Sequence, residues 1–280
     1  MRRLLLLSLI CLPGLAGQAA AQAPTDYFFA QLADTQFGFF NEDREFAQES
    51  ANYEFVVASL NRLKPAFVVI CGDLINLPGD PAQRAEYLRI TAGIDASIPV
   101  YAVAGNHDVG NEPTPESLAE YRAHFGPDWY RFEAPDLYGI VLNSGLIAAP
   151  EQAPAEAAAQ EQWLRAELGR ARASGARHIL VFQHHPWFLD AADEPDAYFN
   201  IPLERRTRYL SWFREAGVSH VFAGHYHRNA GGFDGDLEMV TTGPVGRPLG
   251  EDPSGFRIVR VSSAGITHEY IGLGAIPNRP

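Results

Sequence analysis

Five short groups of polar residues each follow an apolar stretch of this 280-residue chain, and they contain side chains that bind metal ions. The clearest group is Asn106-His107-Asp108, which comes after Gly105 and the apolar run 98–104. An Asn side chain offers a carbonyl oxygen to a hard cation, a His carries a proton near neutral pH, and an Asp can orient that His. A polar turn after a strand has a similar composition, so this group alone does not indicate a metal site. The other four groups support that interpretation.

The other four groups also place oxygen and imidazole ligands directly after apolar runs. They are Asp34 and Gln36, Asp73, His184 and His185, and His225 and His227. Carboxylates, amide oxygens and imidazoles without a thiolate favour Mn, Fe, Zn or Mg over a structural zinc site built from cysteines. The ligands are too many for one ion. The sequence therefore predicts two divalent ions a few ångströms apart that share a carboxylate.

The apolar runs alternate with amphipathic segments, which is typical of a parallel sheet with crossover helices. We predict helices over 45–63, 84–95, 114–125, 154–173 and 203–216, and strands over 27–33, 66–71, 98–104, 129–132, 137–142, 177–183 and 218–223. Short apolar runs between Gly-rich turns near 237–241, 256–261 and 266–271 predict antiparallel strands. Because ligands of open α/β sheets bind beyond the carboxyl ends of the strands, we expect the five groups to converge on one crevice.

The first residues have the pattern of a secretory signal peptide. Arg2 and Arg3 precede the apolar run 4–15, and small residues end the segment at Ala21. The run is shorter than the roughly 20 residues that span a bilayer, so no membrane span is expected there. We predict that residues 1–21 are removed after Ala21 and that the mature protein is periplasmic or secreted.

The chain is acidic, with a formal net charge of −12, and loss of Arg2 and Arg3 would make it −14. Nucleic-acid binding depends on clustered Lys and Arg, so we expect no nucleic-acid partner. A content of 46% hydrophobic and 20% charged residues is that of an ordinary globular domain. Cleavage would also remove Cys11, so Cys71 would have no disulfide partner within the chain and is expected in the core.

The five groups, taken in order, resemble the motifs of the calcineurin-like metallophosphoesterase superfamily. The motifs are Asp34-x-Gln36, Gly72-Asp73, Gly105-Asn106-His107-Asp108, His184-His185-Pro186 and Gly224-His225-Tyr226-His227. The segments 71–75, 106–111, 181–184 and 224–232 are similar to the calcineurin-like phosphoesterase domain-containing protein 1 branch, whose implied activity is dephosphorylation of phosphoserine and phosphothreonine. The resemblance implies a four-layer α-β-β-α sandwich of the metallo-dependent phosphatase type, in one domain over residues 25–275.

The resemblance also implies a role for each ligand. Asp34, Gln36 and His227 would hold the first metal, Asn106, His184 and His225 the second, and Asp73 would bridge the two. His185 is the alternative to His184. Gln36 stands where the wider superfamily usually has a histidine, and its neutral amide oxygen is a weaker donor. We therefore expect the first metal to exchange readily.

A mechanism follows from these assignments. Two cations lower the pKa of a water so that hydroxide exists at neutral pH, and they neutralise the phosphoryl oxygens. The expelled alcohol needs a proton, and His107 is the candidate donor, a role worth about 10² to 10⁴-fold in rate. Asp108 is expected to orient His107 and raise its pKa, with capping of a turn as the alternative. Arg228 and Asn229 are candidates for phosphate contacts, although a solvated loop explains them equally well.

The predicted function is that of a metal-dependent phosphomonoesterase with two ions of Mn, Fe or Zn. Its substrate would be a phosphorylated small molecule or a phosphoprotein. A phosphodiesterase for small diesters is the alternative within enzymes, because the same metal core serves both reactions. A metal- or phosphate-binding module without turnover is the alternative outside enzymes, but such a module has no need of a proton donor such as His107.

Overall fold

A computed structural model describes residues 26–279 of the protein and contains two β-sheets. The first sheet consists of β1 (Tyr27–Leu32), β2 (Val68–Cys71), β3 (Val100–Val103), β10 (Gly255–Ser262) and β11 (Gly265–Gly272), in the spatial order β11-β10-β1-β2-β3. The second consists of β4 (Tyr130–Ala134), β5 (Leu137–Val141), β6 (His178–Phe182), β7 (Val218–Ala223), β8 (Ala230–Asp234) and β9 (Leu237–Thr241), in the order β4-β5-β6-β7-β9-β8.

The second sheet has an antiparallel strand at each edge, whereas the first sheet has antiparallel strands at one edge only and the parallel strand β3 at the other. Strands β1, β2 and β3 are parallel to one another, as are β5, β6, β7 and β9. The helices are α1 (Ala47–Leu63), α2 (Pro81–Thr91), α4 (Pro115–Phe125), α6 (Pro154–Ala173) and α7 (Leu203–Ala216), with the single turns α3 (Asn106–Val109) and α5 (Gly145–Ala148). Parallel neighbours need such crossovers, which bring the carboxyl ends of successive strands to the same edge.

Three apolar clusters hold four layers together. One lies between the first sheet and helices α1 and α2, and another between the second sheet and helices α6 and α7. The third lies between the two sheets, where Phe29 makes edge contacts with Phe182 and Phe222 at centroid distances of 5.9 Å. Because each sheet buries one face against helices and the other against its partner, the predicted α-β-β-α sandwich is confirmed.

The structure differs from the sequence prediction at three elements. The strand predicted as antiparallel over 237–241 is β9, which pairs parallel with β7 and antiparallel with β8 only. Helix α2 begins at Pro81, because the Asp80 carboxylate accepts hydrogen bonds of 2.9 Å from the amides of Ala82 and Gln83. The sequence predicts a helix over 84–95, whereas the helix ends at Thr91. Strand β8, read as part of a Gly-rich turn, pairs antiparallel with β9 at the sheet edge.

No helix within residues 26–279 is long and apolar enough to cross a bilayer. The predicted signal peptide lies outside the residues that the structure describes.

Candidate metal centre

The five polar groups of the sequence meet where the parallel strands of both sheets end. Ligand atoms of Asp34, Asp73 and His227 lie within 4.8 Å of one another, and so do those of Asp73, His184 and His225. Asp73 belongs to both groups. The two groups therefore form a pair of adjacent sites that share one carboxylate.

The backbone around these ligands is strained and closely packed. Positive φ angles in the left-handed region occur at five residues, namely Asp34, Gln36, Asp73, His225 and His227. Such conformations of non-glycine residues cost about 1 to 3 kcal/mol each and are characteristic of functional sites. A Cβ atom on Gly105 would lie 2.1 Å from the Asp73 amide nitrogen. The motif glycine thus permits the close approach of two ligand loops.

The first group consists of Asp34, Asp73 and His227, with Gln36 beside it. His227 Nδ1 lies 2.6 Å from the carbonyl oxygen of Arg247, so this nitrogen carries the proton and Nε2 remains as the ligand. That Nε2 atom is 3.4 Å from Asp34 Oδ1. The Gln36 side chain donates from Nε2 to Asn76 Oδ1 at 3.0 Å, and its Oε1 atom is buried with no hydrogen-bond partner among residues 26–279.

The second group is built in the same way. His184 Nδ1 donates to the carbonyl oxygen of Cys71 at 2.8 Å, which leaves Nε2 at 3.2 Å from Asp73 Oδ1 and 3.0 Å from Asn106 Oδ1. The Asn106 amide is oriented by a bond of 3.0 Å from Nδ2 to Asn111 Oδ1. His225 Nε2 lies 3.3 Å from the carbonyl oxygen of Tyr198, so Nδ1 is the nitrogen available to a metal.

In the metal-free protein, Asp73 and His184 form an ion pair. Burial alone would raise the pKa of Asp73, but the charge and hydrogen bond of His184 outweigh it and lower the pKa. Burial alone would lower the pKa of His184, but the Asp73 carboxylate raises it to about 9. Burial and the charge of His184 lower the pKa of His225 to about 3, which keeps that ring neutral. Metals and protons therefore compete for this cluster.

The residues fit two divalent cations. Asp34 and Asp73 are at most 1% exposed, and within the described part of the chain their ion-pair partners are histidines rather than Lys or Arg. Buried carboxylates need a compensating charge. The unpaired Gln36 oxygen and the three imidazoles that donate to backbone carbonyls supply further ligands. Gln36 thus has the chemistry of a ligand to the first metal.

His107 lies on α3 at the edge of this cluster. Its backbone amide donates to Asp73 Oδ1 at 2.9 Å, and its Nδ1 lies 2.7 Å from the carbonyl oxygen of Asn76. The Asn76 carbonyl accepts the proton on Nδ1, so Nε2 is the ring nitrogen free to exchange a proton with a substrate. The ring is half-buried, with Phe39 at a centroid distance of 6.4 Å.

The predicted contact between Asp108 and His107 is wrong. Asp108 Oδ1 accepts from the amides of Leu74 and Ile75 at 2.9 and 3.2 Å, and Oδ2 accepts from the amide of Gly105 at 2.8 Å. Burial and the charge of Asp73 raise the pKa of Asp108 to about 8. Asp108 caps the two loops that follow β2 and β3 and holds them together, which was the alternative considered from the sequence.

Arg228 and Asn229, the predicted phosphate contacts, make hydrogen bonds within the protein. The Arg228 guanidinium donates to the carbonyl oxygen of Leu249 at 2.7 and 3.0 Å and lies over the ring of Tyr226. Asn229 donates to Asp252 from its amide and its side chain, and its Oδ1 accepts from Arg257 at 2.7 Å. These polar groups are thus engaged within the protein.

Two features of the site were missed from the sequence. Asn76 binds the Gln36 side chain with its own side chain and His107 with its backbone, yet it stands in an unremarkable position after the Gly72-Asp73 motif. The loop 189–202 is the second feature. Fully buried Arg206 donates to the carbonyl oxygens of Ala192, Glu194 and Ile201, and this fixes Tyr198 and Phe199 in the loop.

Tyr198 and Phe199 form an aromatic wall beside the second group of ligands. Their ring centroids lie 5.2 and 5.5 Å from that of His225, and Phe199 also contacts Tyr226 at 5.1 Å. Tyr198 is 62% exposed although it adjoins the buried ligands. The wall was invisible in the sequence because the loop that carries it has no apolar periodicity.

Comparison with known proteins gives the class of this site. The family model described as calcineurin-like phosphoesterase matches residues 29–229, and the chain belongs to this family. It is a metallophosphoesterase, a hydrolase of phosphoester bonds, in the branch that contains CPPED1. Serine/threonine-protein phosphatase CPPED1 from Bos taurus is 39% identical over 268 residues, which covers 90% of this chain and 86% of the bovine protein. The Danio rerio protein of the same name is 37% identical over 268 residues, with coverage of 90% and 87%.

Solved structures share the fold at low sequence identity. A dimetal phosphatase from Danio rerio has a TM-score of 0.66 at 18% identity and covers 88% of this chain and 96% of that one. A purple acid phosphatase from yellow lupin has a TM-score of 0.69 at 13% identity, with coverage of 90% and 52%. These likenesses show the sandwich architecture.

Proposed function

We propose that this protein is a phosphomonoesterase for alkyl phosphates of the phosphoserine and phosphothreonine kind, with two ions drawn from Mn, Fe and Zn. The observation that carries this proposal is the placement of His107. The backbone amide of His107 donates to the shared carboxylate of Asp73, and its Nδ1 is bound by the Asn76 carbonyl oxygen, so Nε2 is the ring nitrogen left for a substrate. An alkoxide leaving group needs a proton, and this nitrogen is positioned to give it.

The residues of the site have separate roles in metal binding and in positioning. Divalent ions, when bound, supply the acidity that activates water and the charge that neutralises phosphoryl oxygens. Asp34, Asp73, Asn106 and His184 would hold those ions together with Gln36, His225 and His227. Asp108 fixes the loops after β2 and β3, and Asn76 fixes the ring of His107. The loop 189–202 walls the cleft on the side of His225.

The relatives named serine/threonine-protein phosphatase support a monoester as the substrate. A diester of a small molecule is the second candidate, since the same metals would serve it. We also propose export to the periplasm or beyond, on the charged, apolar and small-residue pattern of residues 1–21. In that location a phosphorylated small molecule or an exported phosphoprotein would be the substrate.

The test is a panel of substrates with the mature protein loaded with Mn. We expect kcat/KM for an alkyl monoester and a phosphoserine peptide to exceed that for a matched alkyl diester at least about tenfold. A monoester carries close to two negative charges near neutral pH, against one for a diester. A preference for the diester would favour the second candidate, and metal binding without turnover on any substrate would support a binding module.

A further inference from the structure

The proposed reaction requires a hydrogen-bond donor for one more phosphoryl oxygen of the substrate. A phosphomonoester presents more negative oxygen atoms than a diester, and Arg228 and Asn229 are engaged elsewhere. A donor for the additional oxygen must be a polar hydrogen that lies beside the ligands and is not used within the protein. His185, next to the ligand His184 in sequence, meets these conditions.

Counting hydrogen bonds at Ser144 assigns the protons of His185. The Ser144 hydroxyl is fully buried, and its oxygen accepts from the backbone amides of His184 at 3.2 Å and of His185 at 2.8 Å. Both lone pairs of the oxygen are thereby used. The remaining contact, 2.9 Å to His185 Nδ1, must use the single hydroxyl proton, so Nδ1 is the acceptor. A neutral His185 therefore carries its proton on Nε2.

The surroundings of Ser144 make this arrangement rigid. The preceding residue, Asn143, is buried and donates from Nδ2 to Asp128 at 2.9 Å. Its amide and carbonyl groups are bound by the side chain of Gln160 at 2.8 and 3.0 Å. Asn143 Oδ1 accepts from the amide of Gly145 at 3.0 Å. The hydroxyl of Ser144 is thus held in place from both sides.

His185 lies against the second group of ligands but is outside both sets of converging ligand atoms. Its ring centroid is 4.3 Å from that of His225 and 5.1 Å from that of His184, and the residue is 7% exposed. Its Nε2 atom makes no hydrogen bond to any of residues 26–279 and is not sealed off from solvent. A nitrogen that bears hydrogen cannot bind a metal, which argues against His185 as the alternative ligand.

We propose that His185 donates a hydrogen bond from Nε2 to a phosphoryl oxygen of the substrate, and that Ser144 positions it by fixing the tautomer. This inference rests on the proposed monoesterase function, and it names the donor that distinguishes a monoester from a diester. His185 is then a neutral donor next to the second group of ligands, while His107 serves the leaving group.

The tautomer is tested first, by ¹⁵N NMR of imidazole-labelled protein loaded with diamagnetic Zn. We expect an unprotonated Nδ1 and a protonated Nε2 for His185, and loss of this pattern in Ser144→Ala. This measurement needs no turnover. A proton on Nδ1 in the wild type would overturn the proposal.

The donor role is tested by the affinity of the Zn-loaded protein for inorganic phosphate, measured by calorimetry. His185→Phe should weaken phosphate binding by about tenfold or more, as expected for loss of a hydrogen bond to a charged group. His185→Gln, whose amide can place an N–H near the same point, should recover most of the affinity. The control His124→Phe changes a histidine on α4 whose partner is Glu120, and it should leave phosphate binding unchanged.

Two outcomes of the calorimetry would overturn the proposal. Unchanged phosphate affinity in His185→Phe would remove the donor role, and loss of Zn from that variant would make His185 a metal ligand. Neither result depends on the substrate panel. Failure of the proposed function would appear instead as a diester preference, or as absent turnover, in the wild type.

Discussion

The side chain of Gln36 donates a hydrogen bond of 3.0 Å to Asn76 Oδ1, and its own carbonyl oxygen is buried without a partner among residues 26–279. An amide held by its nitrogen presents its oxygen in one direction. A buried oxygen without a hydrogen bond costs about 1 to 3 kcal/mol, which a bound cation would offset. Asn76 therefore prepares Gln36 to bind the first metal.

Replacement of Asn76 by alanine should weaken retention of the first ion. The loss of an outer partner of a metal ligand typically costs about 10 to 100-fold in metal affinity. We expect the Mn titration of Asn76→Ala to show one weakened site and one normal site. Asn41→Ala, which removes an exposed contact with Glu45, is the matched control. Identical Mn titrations for Asn76→Ala and the wild type would show that Asn76 does not support metal binding by Gln36.

Gln36→His should tighten the first site and reduce the dependence of activity on added Mn. Oxygen-rich sites suit Mn and Mg, whereas an added imidazole favours Zn and Fe. Dialysis against a mild chelator, followed by stepwise return of Mn, compares the two proteins. If both retain two ions equally well, Gln36 does not bind metal.

Asp73→Asn should lose bound metal and activity together, because Asp73 is the carboxylate common to both groups of ligands. Elemental analysis of the purified protein and turnover of an alkyl phosphate are the two measurements. Asp95→Asn, a change at a surface carboxylate, is the control. Two ions per chain and normal turnover in Asp73→Asn would contradict the shared site.

His107→Ala should keep its metal while kcat on alkyl phosphates falls by about 10²-fold or more, the usual worth of a general acid. An activated phenyl phosphate, whose leaving group departs without protonation, should be affected much less. The comparison of the two substrates separates proton donation from binding. Equal losses on both would exclude His107 as the acid.

Metal uptake should release protons between about pH 6.5 and pH 9. The pKa of His184 is about 9 in the metal-free protein, above its ordinary value of 6.5. Burial alone would lower this pKa, but the charge of the Asp73 carboxylate raises it. Because the pKa of His184 is higher in the folded than in the unfolded protein, its protonation stabilises the folded, metal-free protein. This stabilisation is fully present below pH 6.5 and is lost as the pH rises through 9. Metal affinity should rise over the same interval.

Calorimetric titration with Zn in buffers of different ionisation enthalpy measures this release. The melting temperature of the metal-free protein should fall from pH 6.5 to pH 9. If the apparent enthalpy of binding at pH 7.5 does not vary with the buffer, His184 is unprotonated before the metal binds.

The fold and the convergence of the polar groups could be predicted because both are expressed locally in the sequence. Apolar runs mark β1, β2, β3, β6 and β7, and polar residues follow each of them at once. Parallel strands necessarily bring such ends together. The convergence of Asp34, Asp73 and His227 thus required no knowledge of distant side-chain contacts.

The roles of Asp108, Arg228 and Asn229 could not be obtained in this way. Each depends on partners that are distant in sequence: Asp108 on the amides of Leu74 and Ile75, and Asn229 on Arg257. A polar residue beside a ligand in sequence looks available for substrate, but only the tertiary structure shows whether its groups are already bound. The tautomer of His185 is of the same kind, since Ser144 is about 40 residues away.

Strand β1, which leads into Asp34, is paired on one side with β2 and on the other with β10, where Phe29 lies opposite Val259. During synthesis, the first sheet therefore stays incomplete until the ribosome has translated almost the whole chain. We therefore expect metal ions to be captured after translation, in the compartment where folding ends. Under the export proposed above, that compartment would lie outside the cytoplasm, and its supply of divalent ions would decide which ions the enzyme carries.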